Sequence, residues 1–261
     1  MSIDKSAAQL LQKALTCSGE ELLTIIVQAA PDELQAACRN PNLAESHLLA
    51  ILKRRDLDED SLRRICRLSL TESSHNLKVA IAHHPNTPAP QLLAILPQLY
   101  LFELMNLCFL AEISADQRLA AERTIIQRLP VTPLGNKLTL ARRATATVLE
   151  ALLKAGDPRL LEICLSNPRL TEGAVFQFVR SGVATAETIS IVARHPRWQS
   201  RPNLKEAILT NPKTPPIWFI LWLPGMKTAA VRKLVASNRL TPAQRKAVED
   251  RLKSQSLRTI S

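Results

Sequence analysis

The chain has 261 residues, enough for one large domain or two ordinary ones, and its 46% hydrophobic and 22% charged residues are ordinary globular usage. Aromatics are only 3%, and 17 prolines stand against 6 glycines, which suits short, sharply ended helices with aliphatic cores better than hairpins. The N-terminus, MSIDKSAAQLLQ, has no basic stretch followed by an apolar one, and the longest apolar run, Ile217 to Leu223, is far too short for a bilayer. No membrane contact and a cytoplasmic location are therefore expected.

The net charge of +11 is divided unevenly. Residues 1–130 carry 13 Lys+Arg against 15 Asp+Glu, a net of −2; residues 131–261 carry 21 against 8, a net of +13. Such asymmetry points to an anionic partner for the second half.

Along the chain, stretches of about ten residues with helical apolar spacing alternate with proline stops. Ser18-Gly19-Glu20-Glu21 reads as a capping box, and Asn40-Pro41 as a helix end. Leu48, Leu49, Ile51 and Leu52 form one apolar stripe. Asp56, Asp58, Glu59 and Asp60 lack the central Gly and terminal Glu of a calcium loop, and read as an acidic first turn of a helix. His84-Pro85 ends the next helix. Thr87 is then expected to cap the helix after it, with Pro88 at the first helical position. Leu92, Leu93, Ile95 and Leu96 follow, and Ser114 to Gln117 is a second capping box.

From about residue 130 the punctuation starts again. NLKVAIAHHPNTP (Asn76 to Pro88) lies on NLKEAILTNPKTP (Asn203 to Pro215), and NPNLAE (Asn40 to Glu45) on NPRLTE (Asn167 to Glu172). ISADQRLAAE (Ile113 to Glu122) lies on LTPAQRKAVE (Leu240 to Glu249). With residues 3–126 laid on 130–253 without a gap, about one pair in five is identical, against roughly one in twelve by chance for this composition. The expected organisation is a first block over 1–126, a second, basic block over 127–253 and a tail over 254–261. Thr214 and Pro215 should repeat the cap of Thr87 and Pro88. No sustained alternation of period two appears, so no sheet is expected; short amphipathic helices bury their faces only by stacking on one another.

The Asn/His-Pro stops preceded by Leu77 and Ala80, or by Leu204 and Ala207, and followed by Thr-Pro, resemble the punctuation of bacterial HEAT-like repeats, above all of leucine-rich repeat variant proteins. The resemblance implies an all-α, internally duplicated tandem helical-repeat solenoid with a binding face. The variant-repeat prototype carries an N-terminal cysteine cluster for an iron–sulfur centre. Here Cys17 and Cys38 are isolated, no CxxC occurs among the five cysteines, and no cofactor is expected.

Candidate chemistry is confined to the basic block. Arg142, Arg143, Arg194, Arg197, Arg201, Lys205 and Lys213 fall on or near helix ends and loops, where they could form an anion-binding face or merely solvate the array. Leu70 and Ser74 of the first block become Arg197 and Arg201, and Glu103 becomes Ala230, so the second block gains positive charge on an unchanged core pattern. RHPRWQSRP (Arg194 to Pro202) interleaves Trp198 with arginines; Trp198 could anchor a ligand or close the seam between units. Trp218, in PPIWFILWLPG, stands where the first block has Gln91 and either joins the core or faces a partner. The partner-binding candidates are thus Arg194, Arg197, Trp198, Arg201, Lys205 and Trp218. No P-loop, GxGxxG, GxSxG or metal-ligand spacing of His and Cys occurs, so no catalytic or metal residue is named. The expected function is a non-catalytic scaffold for a protein or other acidic partner; the alternative is a solenoid that binds the phosphates of DNA or RNA.

Overall fold

The computed structural model describes residues 5–236 and 239–258, with side chains except at 5–7, 31 and 254–258. All regular structure among the described residues is helical. The chain divides into two compact units, Met1–Gln127 and Arg128–Ser261.

The first unit contains α1 (Lys5–Thr16), α2 (Gly19–Gln28), α3 (Pro31–Ala37), α4 (Glu45–Leu52), α5 (Glu59–Cys66), α6 (Ser69–Ser73), α7 (His75–Ala82), α8 (Ala89–Ile95), α9 (Leu101–Leu107) and α10 (Ala115–Arg128). In it α1 packs on α3, α2 on α4 and α4 on α7. The second unit contains α11 (Leu134–Arg143), α12 (Ala146–Leu153), α13 (Pro158–Ser166), α14 (Glu172–Arg180), α15 (Ala186–Arg194), α16 (Pro202–Leu209), α17 (Pro216–Trp222), α18 (Thr228–Val235) and α19 (Pro242–Arg258). There α11, α13 and α15 form one row and α12, α14 and α16 another. Between the rows lie Leu161, Cys164, Leu165, Val175, Val179, Ile189, Val192, Leu204 and Ile208, all buried. The C-terminal stretch from 254 continues α19 as far as Arg258 rather than forming a separate tail; residues 259–261 lie outside the described residues.

The starts of α2, α3, α4, α5, α7, α8, α9 and α10 recur 127 residues later as those of α12, α13, α14, α15, α16, α17, α18 and α19. The 3-10 turns Leu96–Gln98 and Leu223–Gly225 keep the same offset. Helix α6 has no such counterpart: residues 196–200, which include Pro196, form turns instead.

Each stop is built by side chains that reach back to carbonyls near the end of an earlier helix. Asn40 Nδ2 donates to the carbonyls of Ala14 (2.9 Å) and Cys17 (2.8 Å), while its Oδ1 accepts from the Asn42 N–H. Asn167 does the same with Ala141 and Arg169, and Asn211 with Val179 and Lys213. A helix leaves its last carbonyls without amide partners, and an amide side chain at the next-but-one stop supplies one.

The threonine of the Thr-Pro pair works backwards rather than forwards. Thr87 and Thr214 were expected as N-caps, but α8 and α17 begin one residue later, with Pro88 and Pro215 in the extended cap position. The buried hydroxyls of Thr87 and Thr214 donate instead to the carbonyls of Ile81 and Ile208. Residues 85 and 212, which would give those carbonyls their α-type bond, are prolines without an N–H, and the hydroxyl adds to the bond each carbonyl accepts from the His84 or Asn211 N–H; Thr71 reaches Ile65 across the same six residues. The capping boxes at Ser114/Gln117 and Thr241/Gln244 are formed in both directions. Ser18 makes no cap bond; Gly19 after it adopts φ +59.

His84 fills the role that Asn211 fills in the second unit. Its Nε2 lies 2.8 Å from the Arg54 carbonyl, so this nitrogen carries the proton, and Nδ1 accepts from the Asn86 N–H. Burial pushes the imidazole below its ordinary 6.5, helped by Arg55 and opposed by the Arg54 carbonyl. A folded state that resists protonation binds fewer protons than the unfolded chain once the pH falls below about 6.5. Stability is therefore complete above that pH and declines as the pH drops through the window beneath it. His83 and His195 are shifted the same way, chiefly by burial. His84→Asn retains a donor and an acceptor but removes the titration, and should reduce the loss of stability between about pH 7 and pH 5. Urea unfolding at both pH values checks this; an unaltered pH dependence would show that His84 does not contribute to it.

Candidate partner-binding face

The six candidate residues of the second unit separate into two groups. Arg197 and Trp198 belong to the scaffold. Trp198 is 2% exposed, and its indole N–H donates to the Leu165 carbonyl at 3.0 Å. The Arg197 guanidinium stacks over that indole, 4.3 Å from the ring centroid. It donates to the carbonyls of Asn167 (2.6 Å), Pro168 (3.1 Å) and Leu170 (2.9 Å). The pair closes the turn after α13, so neither presents itself to a ligand, and Trp198 is no exposed anchor. Lys213 has the same duty one stop further on, donating to Gly182 and Ala184.

Arg194, Arg201, Lys205 and Trp218 remain near the surface. Arg194 and Arg201 are exposed and pair loosely with acids of earlier helices, Glu162 at 3.9 Å and Glu172 at 3.8 Å. Exposed pairs of that length contribute little and release their cations readily. Lys205, on α16, holds its ammonium 5.4 Å from the centroid of the Trp222 ring. Trp218 and Trp222, one turn apart on α17, contact each other at 5.0 Å, and the Trp218 N–H donates to Ser190 Oγ. Lys205, Trp218 and Trp222 thus form one half-buried cluster. Trp222 was missed from sequence, although its four-residue spacing from Trp218 places both on one helix side.

Beside this cluster a groove of about 550 Å³ runs over α14, α16 and α18, lined by Phe176, Arg180, Asn203, Glu206, Thr210 and Lys233. Arg180 stands over the Phe176 ring at 5.2 Å, and Lys233 pairs with Glu206 at 2.7 Å. Its mixed charge suits a peptide better than a small apolar ligand.

The cysteines are free thiols. Burial raises Cys38 and Cys66 to about 11 and Cys108 and Cys164 to about 12, so these four hold their protons at neutral pH. Among the described residues no cluster of three or more His, Cys, Asp and Glu could hold a metal ion, and no helix is long and apolar enough to cross a membrane. Comparison with protein-family models, with curated proteins and with solved structures returns no match.

The division of labour among the arginines has a direct consequence. Arg197→Leu, which installs the residue found 127 positions earlier, removes three hydrogen bonds to carbonyls, of which that of Asn167 keeps the Leu170 N–H, and should cost about 1–2 kcal/mol. Arg201→Ser loses only a loose exposed pair and should cost less than about 0.5 kcal/mol. Chemical denaturation of the two single variants measures the contrast, and equal effects would contradict it.

Proposed function

We propose that the chain is a non-catalytic helical-repeat scaffold, and that its second, basic block binds an acidic protein partner. The observation that carries this is the charge: 21 Lys+Arg against 8 Asp+Glu over residues 131–261, on a pattern of stops shared with a first half of net −2. In this reading the chain is a tandem duplication over 1–126 and 127–253 of the HEAT-like or leucine-rich repeat variant kind, each block a short solenoidal stack. Support for the duplication comes from the recurring helix starts and from the matching roles of Asn40 and Asn167, His84 and Asn211, and Thr87 and Thr214. Some of the added cations stabilise helix ends, as Arg197 and Lys213 do. Arg194, Arg201 and Lys205 are the part of the original candidate set that remains for a partner, with Trp218 beside them.

Binding through such a face acts at long range and weakens with salt. The full chain should bind a polyglutamate-rich peptide at low ionic strength and lose about tenfold or more in affinity at physiological salt. Arg194→Gln, Arg201→Ser and Lys205→Gln together should weaken it further without moving the thermal midpoint by more than a few degrees. Titration followed by fluorescence anisotropy, with duplex DNA and single-stranded RNA run beside the peptide, decides the matter. No binding of any polyanion at low salt sinks the proposal. Preference for DNA or RNA with a steep salt slope would replace the protein partner by a nucleic acid.

A further inference from the structure

Helix α17, PIWFILW, is apolar on both of its sides, and only one is covered. On the covered side Phe219 is buried in a cluster with Leu209, Leu223, Val231 and Leu234. On the other, Ile217, Ile220 and Leu221, spaced i, i+3 and i+4, are 50%, 68% and 57% exposed. Three branched aliphatic side chains forming one stripe in water mark a surface awaiting an apolar complement.

Along the sequence, the charge on either side of this stripe has one sign, although Glu206 just before it pairs with Lys233. No Asp or Glu occurs from Ala207 to Val248, whereas that stretch holds Lys213, Lys227, Arg232, Lys233, Arg239, Arg245 and Lys246. Lys205 borders the stripe through the Trp222 ring. Lys227 follows the 3-10 turn after α17 and is exposed, with no ion pair among the described residues. The segment 127 residues earlier differs on both counts at once. Pro90, Leu93 and Ala94 stand where the second unit has Ile217, Ile220 and Leu221, and Tyr100 stands where it has Lys227, while Lys205 already has a counterpart in Lys78. The covered side is kept, with Leu92 and Leu96 for Phe219 and Leu223, so packing does not demand the change.

We propose that the outer face of α17 docks an acidic amphipathic helix of a partner protein, with an apolar i, i+3, i+4, i+7 stripe against Ile217, Ile220 and Leu221 and flanking carboxylates on Lys205 and Lys227. The inference rests on the binding role of the second block and specifies its site. A helix fits better than an anionic bilayer. An interfacial surface turns its indoles outward to the headgroups. Here the Trp218 N–H is taken by Ser190 and Trp222 is covered by Lys205 and Trp218.

The test uses the full chain and three probes. One is a synthetic helix with leucines at i, i+3, i+4 and i+7 and glutamates between them. Another is its scrambled isomer of equal composition and charge; the last is vesicles of phosphatidylserine and phosphatidylcholine. Emission of the tryptophans bordering the stripe reports binding. The amphipathic peptide should bind about tenfold tighter than the isomer. Ile220→Gln with Leu221→Gln should remove that preference while circular dichroism and the melting midpoint stay unchanged. Equal binding of both peptides, unaffected by the double substitution, overturns the α17 site and leaves the basic-block reading standing. Absence of binding by either peptide overturns both. Vesicle binding that the double substitution abolishes, without peptide preference, overturns the helix in favour of a membrane.

Discussion

Polar side chains that reach back to helix-end carbonyls hold each unit together. A proline stop leaves the carbonyls of the last turn without amide donors, and an apolar stack cannot leave them dry and unpaired. The solution recurs in the same form. Asn40, Arg54, His84 and Gln117 serve the first unit, reaching Ala14, Ile26, Arg54 and Pro85. Asn167, Arg197, Asn211 and Gln244 serve the second, reaching Ala141, Asn167, Val179 and Pro212. Several donors are themselves helix-end residues whose own carbonyls are served by the next, as with Arg54 to His84 to Gln117. The aliphatic core supplies most of the burial; these bonds set the spacing at which one helix pair can settle on the last.

This constraint also sorts the charges. A cation near a helix C-terminus is favourable because carbonyl dipoles converge there. Arg54, Arg197 and Lys213 occupy such places, and their charge is spent inside the unit. Cations on the helices themselves, such as Lys205, or at the rim, such as Lys227, have no comparable duty. The net charge of such a unit thus overstates the charge it can offer to a partner, and the surface share must be read residue by residue.

The helical class, the stops and most helix starts were legible from proline spacing and apolar periodicity, because those signals are local. The direction of the Thr87 and Thr214 hydroxyls was not: a threonine before proline can serve the helix ahead or the one behind. Thr71, which reaches back to Ile65 across the same six residues without a proline between, shows that the turn itself favours the one behind. Trp198 looked like a loop aromatic among arginines, and nothing local reveals that the Leu165 carbonyl, 33 residues back, takes its N–H. Nor does anything local reveal that Arg197 reaches the carbonyls of Asn167, Pro168 and Leu170. Conversely, the apolar run of α17 was visible, but which of its sides is covered depends on α18 and α19, and only Phe219 proved to be sealed.

The reach of the carbonyl-serving bonds carries an evolutionary corollary. Donor and acceptor are separated by 23 to 33 residues, and successive bonds overlap along the chain. Adding or deleting one residue between two partners would rotate a helix by about 100° and draw both partners out of reach. A chain of this design is therefore free to alter its surface chemistry but changes its length only in whole steps, so the distance between stops outlives the identity of the residues that fill it.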